Sequence, residues 1–330
     1  MFMRQISTTI KATQALSFSA LCTGFFMLFL PPGTGHAATF QIDEFATPES
    51  HVTADGLPST IAIAPRLRPK LAEAQAAFLD SDFERAEQLA RALSEDAPEM
   101  AEVWHLLGLV LANQSRFDES LSALDRSATL YEKNAQPLLV KGDILLLLGR
   151  SDEARQTYAL AVERDPTDWR AAEALARFLE ADGDRKGATD QYRQAVEHAP
   201  RERLLPSLRL AKLLFDDGAI EESIVVLSSY VAAAPRDATG VRALGQLLLS
   251  AEKPGNAADV LESASAVHAG DLPLGLLTAQ AMRAAGRYDA AIAKLEALRN
   301  SFSDRPQVHV DLAGLLGAIG RYEPAAAAYQ

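Results

Sequence analysis

The side chains best suited to proton transfer or metal ligation are six histidines, His36, His51, His105, His198, His268 and His309. They are scattered singly, and the one cysteine, Cys22, sits in an apolar N-terminal stretch. Zinc needs three or four closely grouped nitrogen, sulfur or carboxylate ligands, so no metal site is expected. Asp182-Gly183-Asp184 and Asp216-Asp217-Gly218 resemble the opening of calcium loops. Neither continues into the twelve-residue ligand pattern, and both read as turns. The chain has no H-E-x-x-H, no G-x-S-x-G and no glycine-rich phosphate loop ending in Lys-Ser/Thr. Asn113-Gln114-Ser115 fits a glycosylation acceptor, a pattern short enough to arise by accident. These residues predict no enzyme, no cofactor and no metal, which leaves recognition as the chemistry to look for.

The elements that would position recognition residues are helices. Hydrophobic residues make up 48% of the 330, aromatics only 7%, and alanine and leucine abound, a composition suited to closely packed helices. The formal net charge of -12 disfavours a nucleic-acid partner. Residues 1–37 read as a signal peptide. Arg4 and Lys11 precede the apolar run Leu16 to Leu30, Pro31 and Pro32 stop it, and Gly35-His36-Ala37 offers a small-x-small cleavage site. The alternative is an uncleaved membrane anchor, because the apolar run approaches a spanning length. Either way the remainder is expected beyond the cytoplasmic membrane, periplasmic or secreted. Cleavage removes two positive charges, taking -12 to -14, and leaves no thiol. Residues 38–66, with Pro48, Pro58 and Pro65, read as a leader or linker.

From Leu67 onward the chain repeats. Small residues recur at Ala74, Gly108, Gly142, Ala176, Ala211, Gly245, Ala279 and Ala313. A second series runs Ala86, Ser120, Ala154, Ala188, Ser223, Ala257, Ala291 and Ala325. Both step by 34 residues, with one shared step of 35 that implies an inserted residue near Glu202 to Leu204. Larger residues follow the second series by four, at Leu124, Tyr158, Tyr192, Leu227, Leu261, Leu295 and Tyr329. Four places along a helix return to the same face, so each large residue can fill the gap that a small one opens. Pro98, Pro166, Pro200 and Pro235 close units, and glycines such as Gly149 and Gly286 mark turns inside them. Trp104-His105-Leu106-Leu107-Gly108 then carries the resemblance: it is similar to the W-x2-L-G start of the tetratricopeptide repeat (TPR), with Leu111 in the place of its tyrosine.

That resemblance implies an all-α, right-handed superhelical solenoid of about eight helix-turn-helix units. They are placed at about 67–100, 101–134, 135–168, 169–202, 204–237, 238–271, 272–305 and 306–330. The eighth stops at Gln330 part-way through its second helix, which points to a longer parent chain or a docked edge. In this family the second, fifth, ninth and twelfth places of each first helix line a concave groove. Those places bring Arg170, Arg177, Leu208, Lys212, Phe215, Arg242, Gln246, Leu249, Gln280 and Arg283 into the lining. Leu139, Asp143 and Leu146 follow one unit earlier, and His105 another unit before them. Read as a basic, partly apolar channel, this lining suits an extended protein segment or peptide with carboxylates, or an anionic polysaccharide. Read blandly, these are solvated charges, some paired as Glu173 is with Arg177 four residues on. The functions expected are a non-catalytic protein-interaction scaffold of the cell envelope, a periplasmic module of exopolysaccharide synthesis or export, or the front half of an enzyme continuing beyond Gln330.

Overall fold

A computed structural model describes residues 66–328. The signal peptide, the leader up to residue 65, and Tyr329 lie outside the described residues. Sixteen helices and no strand occur among the described residues, as an all-α helical-repeat solenoid requires. The chain divides into two compact blocks, whose described parts are residues 66–198 and 199–328.

Four hairpins make up the first block: α1 (Arg68–Leu79) with α2 (Phe83–Asp96), α3 (Ala101–Asn113) with α4 (Phe117–Leu130), α5 (Gln136–Leu147) with α6 (Ser151–Arg164), and α7 (Trp169–Asp182) with α8 (Arg185–His198). Four more make up the second: α9 (Leu204–Asp216) with α10 (Ile220–Ala233), α11 (Ala238–Ser250) with α12 (Pro254–Val267), α13 (Leu272–Ala284) with α14 (Tyr288–Ser301), and α15 (Pro306–Ala318) with α16 (Tyr322–Ala328). The second helices open at residues 83, 117, 151, 185, 220, 254, 288 and 322, which keeps the 34-residue step and its one step of 35.

The small residues are the contact points. Ala74, Ala176 and Ala211 on first helices are fully buried, as are Ala86, Ser120, Ala154, Ala188, Ser223, Ala257 and Ala291 on second helices. A Cβ built on Gly108 would stand 2.7 Å from Leu124, and one on Gly245 would stand 2.5 Å from Leu261. One on Gly142 would strike the Tyr158 ring. Each pair joins a notch on a first helix to the large residue four places after the notch on the second, so a methyl group there would push the hairpin apart. Ser120 adds a polar clasp, its hydroxyl donating to the Gly108 carbonyl at 2.6 Å.

Every hairpin turns through a left-handed residue at one register. Gly149, Gly183, Gly218, Gly286 and Gly320 occupy it with φ from 73° to 87°. Ser81, Ser115 and Glu252 hold the same place at φ 61°, 60° and 57°, where a Cβ costs about 1 kcal/mol. Pro254 opens α12, where its missing N–H has no partner to lose. The apolar run Ile144 to Leu148 divides: Ile144 and Leu145 are buried, whereas Leu146, Leu147 and Leu148 are exposed because α5 ends there and the chain turns outward.

Candidate functional site

On α3, α5 and α7 of the first block, the polar side chains at the groove places are covered or tied to neighbours, while Leu146 is exposed. On α3 the places hold Glu102, His105, Leu109 and Ala112, all buried. His105 is 3% exposed, and its Nδ1 is buried with no hydrogen-bond partner. Burial drives its pKa down to about 4, so the ring is neutral near pH 7. Glu102, one turn earlier, has both carboxylate oxygens buried without a partner, and desolvation raises its pKa. On α5, Asp143 accepts a hydrogen bond from the Tyr158 hydroxyl of α6 at 2.6 Å. Burial pushes the Asp143 carboxyl up, opposed by the Arg177 charge and by that hydroxyl. Burial also works against the charge of Arg177, but Asp143 and Glu173 outweigh it and hold the guanidinium above its ordinary pKa. Arg170 turns back on the α7 N-cap, its Nε donating to Asp168 at 2.9 Å. Asp168 also accepts from Gln136 at 2.7 Å, which links α5 to α7. Glu180 accepts from the Tyr192 hydroxyl at 2.9 Å.

In the second block the same places are more open. Lys212, Phe215, Arg242, Gln246 and Leu249 are half-buried, and Gln280 and Arg283 are exposed. Lys212 pairs with Asp216 on its own helix at 2.7 Å, so part of its charge is compensated. Arg283 makes no ion pair among the described residues. Leu208 departs from the lining: it is fully buried in the block's core with Ala211, Leu227 and Leu244. Place five of α9 therefore supports the face without forming its surface. Between these places Leu210, Leu213, Ala243, Leu247 and Ala281 point into the core, so the helices hold the strip in fixed rotation.

The register also fixes what sequence reasoning did not see. Glu102 and the Tyr158 hydroxyl were not singled out as polar groups of the face. Tyr158 carried a signal, since a tyrosine buried as a gap filler still needs a partner for its hydroxyl.

A tetratricopeptide repeat-like domain model matches residues 66–175, and a tetratricopeptide repeat model matches residues 248–310, together more than half of the chain. The chain belongs to the tetratricopeptide-repeat family. Its TPR hairpins also resemble solved structures in fold. Pseudomonas aeruginosa PilF is 17% identical, with a TM-score of 0.47 over 63% of this chain and 94% of that one. YrrB, described as a TPR protein with an unusual peptide-binding site, is 16% identical, with a TM-score of 0.43 over 56% and 95%. A curated relative is the ancillary SecYEG translocon subunit of Neisseria gonorrhoeae (strain ATCC 700825 / FA 1090), 38% identical over 77 residues. The match takes in 23% of this chain and 35% of that protein, so the TPR chain spans about a third of the curated relative it matches.

TPR arrays are protein–protein interaction modules, and proteins of this fold are generally non-catalytic scaffolds. The residues on these faces suit that work. Amide and guanidinium groups at Gln246, Gln280 and Arg283 can hydrogen-bond a main chain or a carboxylate, and Phe215 and Leu249 can shelter apolar side chains. No group of three or more His, Cys, Asp or Glu able to hold a metal ion occurs among the described residues. No described helix is long and apolar enough to cross a membrane.

Proposed function

We propose that the protein is a non-catalytic adaptor of the cell envelope that holds an extended polypeptide segment against the first helices of its second block. The observation that carries this reading is the open strip of Lys212, Phe215, Arg242, Gln246, Leu249, Gln280 and Arg283, set on helices whose other faces are core. Rigid helices hold these groups ready before a partner arrives, which lowers the ordering cost of binding. An extended segment exposes its own amides and carbonyls to the glutamines and its carboxylates to the exposed Arg283. In the first block, Arg170 and Arg177 lie beside acidic side chains, so they contribute less attraction for an acidic partner. The envelope location rests on the N-terminal signal pattern and agrees with the printed name of the gonococcal relative.

Site-specific photocrosslinking in intact cells tests the proposal. A photoreactive residue at Gln246 or Gln280 should give discrete adducts with an envelope polypeptide, while one at Glu262, on α12, should not. Equal adducts at all three positions, or none at the strip, would reject it.

A further inference from the structure

Three of the first helices, α7, α11 and α13, begin on an aspartate, Asp168, Asp237 or Asp271, whose carboxylate accepts from a backbone N–H in the first turn. At α15 the place belongs to Arg305, which makes no side-chain cap. Beside it lies an open pocket of about 680 Å³, formed by the loops that lead into α13 and α15. Its lining includes His268, Asp271, Leu272, Pro273, Phe302 and Arg305. The Asp271 carboxylate is occupied, accepting from Leu274 N–H at 2.8 Å. Arg305 is well exposed, and its one ion pair among the described residues is with Asp304 at 3.8 Å, itself at the surface. The Nε2 of His268 is closed off from solvent and has no hydrogen-bond partner. Phe302, Leu272 and Pro273 supply an apolar wall.

We infer that this pocket takes an acidic side chain, with an apolar neighbour, from within a partner polypeptide. The carboxylate would pair with Arg305 beside the His268 ring and stand where an acidic cap stands on α7, α11 and α13. The apolar neighbour would cover Phe302. An open pocket lets a chain enter and leave, which favours an internal residue over a chain end. The inference rests on the reading of the protein as a polypeptide binder, but it concerns loops apart from the first-helix strip. It is read at named nuclei whether or not the strip captures a partner in cells.

The test is NMR of the full chain, following the His268 ring and the Arg305 guanidinium. N-acetyl-Phe-Asp-amide should shift both, and N-acetyl-Phe-Asn-amide should bind about tenfold more weakly, the loss of one charge-assisted contact. Arg305→Ala should abolish the shift at His268, whereas Arg283→Ala should leave it intact. Equal binding of the two peptides, or no shift up to the solubility limit, would overturn the inference. So would a shift that survives Arg305→Ala. Binding by N-acetyl-phenylalanine alone would overturn the assignment to an internal residue.

Discussion

At the ninth place, α5 and α7 of the first block carry Asp143 and Arg177, whereas α9, α11 and α13 of the second carry Lys212, Gln246 and Gln280. Asp143 is hydrogen-bonded to a buried tyrosine and adjoins a guanidinium, while Gln280 stands in the open. One register therefore serves two ends. Where a large side chain from the second helix carries a hydroxyl, as Tyr158 does, it ties the polar residue opposite into the fold. Where the filler is Leu261 or Leu295, it has no hydroxyl to hold Gln246 or Gln280, and they stay more open. The lesson is that a shared repeat pattern sets direction, while the packing partner helps set whether a polar place is tied into the fold or left open.

The largest effect expected from that contrast is at Tyr158. Tyr158→Ala should cost about 4 kcal/mol, since it empties the notch at Gly142 and removes the Asp143 donor. Both tryptophans, Trp104 and Trp169, belong to the first block, so their fluorescence in a urea titration reports its loss. A midpoint unchanged from the parent would remove the bracing role.

A slightly smaller effect is expected from pH. His105 has a folded pKa of about 4, below its ordinary 6.5, so the unfolded chain binds a proton before the folded one does. Its contribution is present above about pH 6.5 and fades as pH falls toward 4, a loss of roughly 3 kcal/mol confined to the first block. His105→Gln should flatten that part of the stability profile, seen by tryptophan fluorescence. A profile as steep as the parent's would place the titration elsewhere.

Much of the fold was legible. The paired series anchored at Gly108 and Ser120 need only spacing and size to be read, and the helices start in the same step. Depth was not legible. Leu208 and Arg242 both hold the fifth place of their helices, yet one is fully buried and the other half-buried, because cover depends on elements distant in sequence. The acid that shares charge with Arg177 is one repeat away at Asp143, so looking along one helix found Glu173 alone. His105 was expected on a surface or groove and is buried, since W-x2-L-G marks the hairpin without showing what closes over it.

Turn strain sharpens the comparison further, because it occurs in both blocks. Ser115→Gly in the first and Glu252→Gly in the second should each stabilise the chain by about 0.5–1 kcal/mol, measured as a rise in the urea midpoint by circular dichroism. A gain in only one would show that the two blocks differ in their turns as well as their faces.

The most direct measurement compares Asp143→Ala with Gln246→Ala, two substitutions at the same helical place. Urea titration would follow tryptophan fluorescence for the first block and circular dichroism for the whole chain. Asp143→Ala should lower the fluorescence midpoint, a cost of about 2 kcal/mol, because it removes an acceptor of the Tyr158 hydroxyl and takes a counter-charge from Arg177. Gln246→Ala should change neither signal beyond about 0.5 kcal/mol. Equal costs at the two positions, or a neutral Asp143→Ala, would contradict the division between a face that braces and a face left open.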